Sequence, residues 1–380
     1  MEAYLDNAAT TRVRKEVINL MQETMEQEYG NPSSLHQKGV LAETYIRDAK
    51  ERLAKELKCE PKEIIFTSGG TESNNMALLG GAFANRRAGM HIISTRIEHA
   101  SVYNPLLWLE QQGFQVDFLD VDANGIVDLE QLQRLMTEET IMVSVMWVNN
   151  EIGAIQPIEC IGKLVKEINP KCLFHVDAIQ AFGKLRTYPN RNQIDLMSIS
   201  GHKFQAPKGI GALFVKNKTK IVPIIHGGGQ QKGMRSGTEN VPGIAGLGLA
   251  ASMAYQNLDA KIDMMKQCKE RLIAEATAIE GVTSNSGEAP HIVSLSFQGI
   301  RSEVLLHALE ERGVYVSSGS ACSSNHPSIS GTLQAIGVEK ELLDSTLRFS
   351  LSYDTTMEEI AYACEQLREL LPVLRRFVRK

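Results

Sequence analysis

The chain has 380 residues, which is enough for two hydrophobic cores because a single core stops growing at roughly 250 to 300 residues. Its hydrophobic fraction of 43% and charged fraction of 22% are those of an ordinary folded protein and exclude a disordered or collagen-like chain. The net charge of -5 gives no electrostatic basis for general binding to nucleic acids or membrane surfaces. We therefore expect small-molecule chemistry, with no direct nucleic-acid partner and no membrane association.

The N-terminal sequence and the cysteines indicate a cellular setting. The stretch MEAYLDNAATT lacks the basic residues and apolar core of a secretory signal, and no apolar run approaches the roughly 20 residues that span a bilayer. The cysteines show neither the CxxC pairs of a zinc site nor the density of a disulfide scaffold, so we predict no metal site and a reducing, cytoplasmic location. They are Cys59, Cys160, Cys172, Cys268, Cys322 and Cys364.

Between about residue 40 and residue 250, short apolar runs alternate with helical or turn segments. Several of these runs are apolar almost throughout, as strands of a sheet covered on both faces are. The pattern predicts an α/β domain with a mostly parallel sheet. The runs are KEIIFTS, MHIIST, FQVDFLD, TIMVSVMWV, CLFHVDAIQ, IDLMSIS and GIGALFV.

The last third of the chain has a different pattern. VPGIAGLGLAASMAYQ leads into an amphipathic segment, DAKIDMMKQCKERLIAEATAIEG, whose helix we expect to stop at Gly281. HIVSLSF, VYVSS and TLRFSLS then read as strands, and SEVLLHALEERG and MEEIAYACEQLRELLPVLRRF as helices. Thr355 and Thr356, followed by Glu358 and Glu359, predict a capping box at the start of the final helix. We predict a large domain over 16–255, a small α+β domain over 256–380, and an N-terminal segment, 1–15, packed with the small domain.

Chemistry is indicated first by Lys203, which lies between two predicted strands in SISGHKFQAPKGIGALFV, near the sheet edge where α/β proteins bind ligands. A lone loop lysine is usually just solvated. Asp177 ends the apolar run FHVD, where a buried carboxylate needs a partner. A pyridinium nitrogen is one such partner, and the cap of a following helix is the alternative.

Two further motifs accompany the lysine and the aspartate. TSGGTESNN follows a predicted strand and precedes a helix, so its glycines and Thr71 suit a phosphate at a helix N-terminus, although a turn without a ligand is equally compatible with the motif alone. His99, in EHAS, can lie flat over a pyridine ring or serve a structural purpose. Together the four features favour a pyridoxal-phosphate site.

Ordered motifs over nearly the whole chain carry a family resemblance: YLDNAATT, GNPSSLH, FTSGGTESNN, EHAS, VNNEIG, HVDAIQ, SGHKFQAPKGIGAL, RSGTEN and SSGSACSS. The chain closely resembles the cysteine desulfurases of the NifS and IscS type, which belong to the class V aminotransferase family. The resemblance implies an aspartate-aminotransferase-like fold of pyridoxal-phosphate fold type I, with a seven-stranded sheet in the large domain. It also implies pyridoxal 5'-phosphate as cofactor and a homodimer.

The resemblance assigns roles residue by residue. It implies that Lys203 binds the cofactor aldehyde covalently, that Asp177 pairs the ring nitrogen, and that His99 stacks on the ring as a catalytic residue. Gln180 is expected to bond the phenolic oxygen. The implied phosphate ligands are Gly70, Thr71, Ser200 and His202, with Thr238 from the partner subunit, and the implied substrate-binding residues are Asn7, Asn31, Asn150 and Arg348, with Asn150 also near the cofactor.

Cys322 distinguishes this family from ordinary aminotransferases. It lies in SSGSACSSNHPSISG, a run of small and polar residues that we expect to form a mobile loop. The resemblance implies that Cys322 takes sulfur from L-cysteine as a persulfide, that L-alanine is released, and that the sulfur passes to an acceptor protein. We expect the other five cysteines to be small buried side chains.

The sulfur acceptor is left open by the sequence. An iron-sulfur scaffold and a tRNA thiolation enzyme both fit, and the ending LRRFVRK, without the longer extension of housekeeping IscS-type members, weakens the expectation of a scaffold. A selenocysteine lyase would share much of the same cofactor chemistry, and a sulfur carrier without turnover is a third possibility. A dehydrogenase is disfavoured because the glycine-rich motif lacks dinucleotide-binding spacing.

Overall fold

The computed structural model describes residues 1–318 and 330–376 of the chain. Its strands are β1 (Ala3–Tyr4), β2 (Ile64–Thr67), β3 (His91–Thr95), β4 (Gln115–Leu119), β5 (Thr140–Met146), β6 (Leu173–Asp177), β7 (Leu196–Ser200), β8 (Gly211–Val215), β9 (Val282–Ser284), β10 (Ile292–Phe297), β11 (Val314–Tyr315), β12 (Ser317–Ser318) and β13 (Thr346–Ser350). Its α-helices are α1 (Lys15–Glu26), α2 (Gln37–Leu57), α3 (Gly70–Asn85), α4 (Ala100–Gln111), α5 (Leu129–Leu135), α6 (Ile158–Ile168), α7 (Val241–Tyr255), α8 (Leu258–Thr277), α9 (Ser302–Glu311), α10 (Gly331–Ala335) and α11 (Met357–Arg375).

A seven-stranded sheet, in the order β2-β8-β7-β6-β5-β3-β4, forms the centre of the molecule. Strand β8 is antiparallel to both of its neighbours, and the other pairs are parallel. Each of the seven apolar runs in the sequence supplies one of these strands. The prediction of a mostly parallel, seven-stranded sheet is confirmed.

Neighbouring residues on these strands point to opposite faces, and both faces are covered. Ile92, Met142 and Leu196 pack with α3 and α4 on one side, whereas the residues that follow them, such as Ile93 and Val143, pack with helices that include α2, α6 and α7 on the other. Because alternate side chains enter two different cores, both must be apolar. This is why the strands read as continuous hydrophobic runs.

A second sheet, in the order β12-β13-β10-β9, is antiparallel and packs with α8, α9 and α11 around its own hydrophobic core. The N-terminal strand β1 pairs with β11 in parallel, and Ala3 and Leu5 lie in this core. Strand β9 was not among the predicted elements. The sheet places Arg348, on β13, toward the functional cavity described below.

The predicted helix end at Gly281 was wrong, and the predicted capping box is confirmed at Thr356 but not at Thr355. Helix α8 ends at Thr277, and Gly281 lies four residues beyond it with a φ of +70°. Thr356 forms the capping box with Glu359, whereas the Thr355 hydroxyl accepts a hydrogen bond from the Ser352 amide in the preceding turn. One threonine must be the N-cap, because only one residue can hold the extended conformation directly before the helix.

The prediction that the remaining cysteines are buried is correct for only three of them. Cys172, Cys268 and Cys364 are buried, but Cys59 is half-buried and Cys160 is exposed. Helix α6 buries Ile158, Ile161, Gly162 and Val165, a spacing that leaves position 160 on the solvent side. In the described part of the chain, no helix has the length and apolarity needed to cross a membrane.

Candidate active site

A cavity of about 250 Å³ lies where β5, β6 and β7 reach their carboxyl ends. Such an edge is where open α/β sheets bind ligands. Its lining residues are Ala8, Ala9, Gly70, Thr71, His99, Ser101, Met146, Val148, Asn150, Asp177, Ile179, Gln180, Ser200, His202, Lys203 and Arg348.

Most of the predicted site residues meet in this cavity: Gly70, Thr71, His99, Asn150, Asp177, Gln180, Ser200, His202, Lys203 and Arg348. Three others do not line it. Asn7 is buried and its amide donates to the carbonyls of Tyr4 and Ser350, Asn31 is exposed and accepts from the amide of Ser33, and Thr238 is exposed. Cys322 lies outside the described residues.

Lys203 ends the short 3-10 turn that follows β7. Its Nζ lies 2.6 Å from the carbonyl oxygen of Ala8 and 2.8 Å from that of Ala9, so the N-terminal segment forms part of the lysine's surroundings. Its own carbonyl accepts a hydrogen bond of 2.6 Å from Nζ of Lys184, a fully buried side chain. Burial, followed by repulsion from Lys203, lowers the pKa of Lys184 to about 7.

Asp177 is the last residue of β6 and is only 4% exposed. Its Oδ1 accepts from the amide of Ile179 at 2.9 Å, and its Oδ2 accepts from Nδ2 of Asn74 at 2.8 Å. Burial raises the pKa of Asp177, and these two hydrogen bonds oppose that shift. A cation brought against this carboxylate would favour its ionised form.

His99 is the N-cap of α4. Its Nδ1 accepts from the Ser101 amide at 3.1 Å and lies 2.8 Å from the Ser101 hydroxyl oxygen. Burial is the main cause that lowers the pKa of His99, opposed by the charge of Asp177 and reinforced by those of Lys203 and Arg348. The ring therefore favours its neutral form.

The start of α3 provides an anion-binding end to the cavity. No side chain in the described part of the chain caps this helix, so its first amides are available to a ligand, and the helix dipole favours negative charge there. A Cβ at Gly70 would lie 2.2 Å from Cδ1 of Ile179, so the Ile179 side chain would have to shift to admit a larger residue. Ser200 and His202 line the same cavity, and burial lowers the pKa of His202 to about 4.

Arg348 closes another side of the cavity and is only 4% exposed. Its Nη1 donates to the carbonyl of Asn150 at 2.9 Å, and its Nη2 is paired with Oδ1 of Asp6 at 2.9 Å. Its Nε is buried without a hydrogen-bond partner among the described residues. A planar guanidinium held in this way suits a carboxylate ligand.

The sequence reasoning gave no role to several residues around the cavity. Asn74 and Ser101 join Asp177 to His99, and the carbonyls of Ala8 and Ala9 contact Lys203 through hydrogen bonds. Asn74 and Ser101 stand inside the motifs TSGGTESNN and EHAS, but nothing in one sequence indicates that they touch. Every residue has a backbone carbonyl, so the sequence cannot indicate which carbonyls contact Lys203.

The fold and the cavity define the class of this protein. The family described as Aminotransferase class-V matches residues 3–362, and the chain belongs to that family. The chain is similar to the cysteine desulfurase IscS of Dictyoglomus turgidum, with 43% identity over 98% of this chain and 95% of the relative. It is 42% identical to the cysteine desulfurase IscS of Methanosarcina thermophila, over 98% of this chain and 92% of the relative. A solved structure of a NifS-like protein has a TM-score of 0.94 and 37% identity, covering 98% of this chain and 100% of that chain.

The predicted resemblance to the NifS and IscS type is thereby confirmed, and pyridoxal phosphate is the cofactor of this class. The cavity residues fit it. Within the described ranges, Oε1 of Gln180 is buried without a partner while its Nε2 donates to the carbonyl of Ala8, so a donor on an occupant would complement this oxygen. The uncapped start of α3 suits the phosphate, Lys203 suits the aldehyde, and Asp177 suits the ring nitrogen.

Proposed function

We infer that this protein is a pyridoxal-phosphate-dependent cysteine desulfurase, which removes sulfur from L-cysteine and releases L-alanine. The observation that carries this conclusion is the joint placement of Lys203, Asp177, His99 and Arg348 around one cavity beside an uncapped helix N-terminus. A pyridine ring, a phosphate and an amino-acid carboxylate each find a complementary group there.

The cavity residues divide the chemistry among them. Bound pyridoxal phosphate supplies an electron sink that makes the Cα proton acidic and the Cβ–S bond of the substrate labile. Asp177 stabilises a proton on the ring nitrogen, and Arg348, with Asn150 beside it, orients the substrate carboxylate. The Lys203 amine would act as the general base that removes the proton from Cα of the substrate.

The sulfur of the substrate is transferred to the protein as a persulfide on Cys322. The Cys322 thiolate attacks the sulfur of the substrate, an S–S bond forms as the Cβ–S bond breaks, and Cβ takes up a proton. One cysteine and one protein thiol thus give one alanine and one persulfide, with no external oxidant or reductant. The persulfide then passes to an acceptor protein, either an iron-sulfur scaffold or a tRNA thiolation enzyme.

We further propose a cytoplasmic homodimer in which Thr238 of each subunit reaches the partner's phosphate site. Large apolar side chains near the N-terminus support the dimer, because such a concentration marks interaction surfaces. They are Ile18, Met25, Tyr29, Leu35 and Val40, exposed by 43%, 56%, 74%, 99% and 53%. Thr238 is itself exposed outside the cavity of its own chain, and the five described cysteines are free thiols, as a reducing compartment requires.

The test supplies purified holoenzyme with L-cysteine, quantifies alanine, and maps persulfides by alkylation and mass spectrometry. The wild type is expected to form alanine and to carry the label on Cys322. Cys322→Ser should keep its cofactor but lose nearly all alanine formation, whereas the matched control Cys160→Ser, at an exposed position outside the cavity, should behave as wild type.

Alanine formation by Cys322→Ser at close to the wild-type rate would show that sulfur leaves without a protein nucleophile. Parallel assays with selenocysteine separate a desulfurase from a selenocysteine lyase, since the lyase would turn over selenocysteine far faster than cysteine.

A further inference from the structure

A chain of hydrogen bonds connects two sides of the cavity. From Oδ2 of Asp177 it runs to Nδ2 of Asn74 at 2.8 Å, from the same Nδ2 to Oγ of Ser101 at 2.9 Å, and from Oγ to Nδ1 of His99 at 2.8 Å. Asn74 is fully buried and Ser101 is 7% exposed, so these bonds are largely shielded from water. This Asp177–Asn74–Ser101–His99 chain is called the relay below.

The direction of each bond in the relay follows from the one before it. Nδ2 of Asn74 belongs to an NH₂ group, which only donates, so Oδ2 of Asp177 accepts from it. The same NH₂ group donates its second hydrogen to Oγ of Ser101. Among the described residues, Oδ1 of Asn74 is buried without a hydrogen-bond partner, so the two bonds of the NH₂ group hold the amide in this orientation.

Ser101 therefore accepts from Asn74 and has its own hydroxyl proton left to donate to Nδ1 of His99. The same Nδ1 also accepts the Ser101 backbone amide, as the N-cap of α4. A backbone N–H cannot reverse, so both bonds require Nδ1 to be without a proton. The proton of the neutral ring must then sit on Nε2, which makes no hydrogen bond to the described residues and remains available to an occupant of the cavity.

We propose that Asn74 and Ser101 are positioning residues that lock His99 into the neutral tautomer with its proton on Nε2, so that His99 serves the cavity as a hydrogen-bond donor and not as a base. To act as a base, the ring would have to take up a proton at Nδ1 and break both bonds there. Proton removal from Cα thus falls to Lys203. The inference rests on the proposed function, because it refines the part His99 takes in that reaction.

The experiment measures the ring nitrogens of His99 by long-range ¹H–¹⁵N NMR correlation in the cofactor-free protein at neutral pH, with His99→Gln used to assign the signals. The expected signature is a protonated Nε2 and an unprotonated Nδ1. A protonated Nδ1, or a doubly protonated ring, overturns the proposal.

Variants test the two positioning residues. Ser101→Ala removes one donor to Nδ1 and should lower the ratio of the Nε2–H to the Nδ1–H tautomer by about 2- to 10-fold, the usual worth of one such hydrogen bond. Ser101→Thr keeps the hydroxyl and should restore the ratio. Asn74→Asp is nearly isosteric but accepts from Ser101, so it should lower the ratio as Ser101→Ala does. An unchanged ratio in both Ser101→Ala and Asn74→Asp would show that the relay does not set the tautomer.

Ser94→Ala is the matched control, because Ser94 is another buried serine, on β3, and its hydroxyl donates to the Ser144 carbonyl outside the relay. Ser94→Ala should leave the His99 signals unchanged. A shift as large as that of Ser101→Ala would show that the tautomer change comes from general loosening of the fold and not from the lost hydrogen bond to Nδ1. The readout needs neither cofactor nor turnover. A protein with the expected tautomer but no alanine formation would contradict the proposed function alone, and an active protein with the wrong tautomer would contradict this inference alone.

Discussion

Replacing Asp177 with asparagine keeps the size of the side chain, removes one charge from the cavity, and turns one of the two accepting oxygens into an NH₂ group. The residue is 4% exposed and holds two hydrogen bonds, from the Ile179 amide and from Asn74. A carboxylate and a ring cation roughly 4 Å apart attract by about 4 kcal/mol at an effective dielectric constant of about 20. Asparagine retains a dipole, so we expect a loss of about 2 to 3 kcal/mol, which corresponds to a turnover about 30- to 150-fold lower.

The assay measures alanine formation at saturating cysteine, alongside cofactor binding from the visible absorbance of the holoenzyme. Because the phosphate-binding end at α3 is untouched, Asp177→Asn should still bind cofactor. Asp195→Asn is the matched control: Asp195 is also buried beside the central sheet, pairs with Lys166 at 2.5 Å, and lies outside the cavity. It should lower stability and leave turnover of the folded protein near wild type. Turnover of Asp177→Asn within threefold of wild type would refute the charge argument.

Three further predictions follow from the same geometry. Borohydride reduction of the holoenzyme should fix the cofactor to the peptide containing Lys203, and a label on any other lysine would contradict the assignment. Arg348→Lys loses the planar guanidinium, so the KM for cysteine should rise about tenfold or more while kcat falls less, and an unchanged KM would place the substrate carboxylate elsewhere. Burial lowers the pKa of His175 to about 3, whereas the ordinary pKa of histidine in an unfolded chain is about 6.5. The neutral buried ring therefore contributes stability above pH 6.5 that is lost as the pH falls toward 3. About 2 kcal/mol of that stability is lost by pH 5. The free energy of unfolding, measured with urea, should therefore fall less between pH 7 and pH 5 for His175→Gln than for the wild type. Parallel plots of this free energy against pH would exclude His175 as the cause.

The sequence by itself determined the central sheet and most of the residues around the cavity. Strands covered on both faces are apolar at most positions, so a nearly continuous apolar run such as IMVSVM indicates a strand of a parallel sheet without any tertiary information. Lys203, Asp177 and His99 carry chemistry in their side chains, and a residue type at a motif position is visible in the sequence. Local capping was less certain: adjacent threonines offered two starts for α11, and only the backbone conformation selected Thr356.

Tertiary structure decided which groups orient those side chains. The contact of Lys203 with the carbonyl of Ala8 joins residues 195 positions apart, and the bond from Asn74 to Asp177 joins residues 103 positions apart. The first uses a backbone atom that every residue possesses, and the second uses an asparagine that would read equally well as a helix-start residue. The direction of a hydrogen bond depends on what its two partners already bind, so the protonation of His99 follows only from the assembled network and not from any motif.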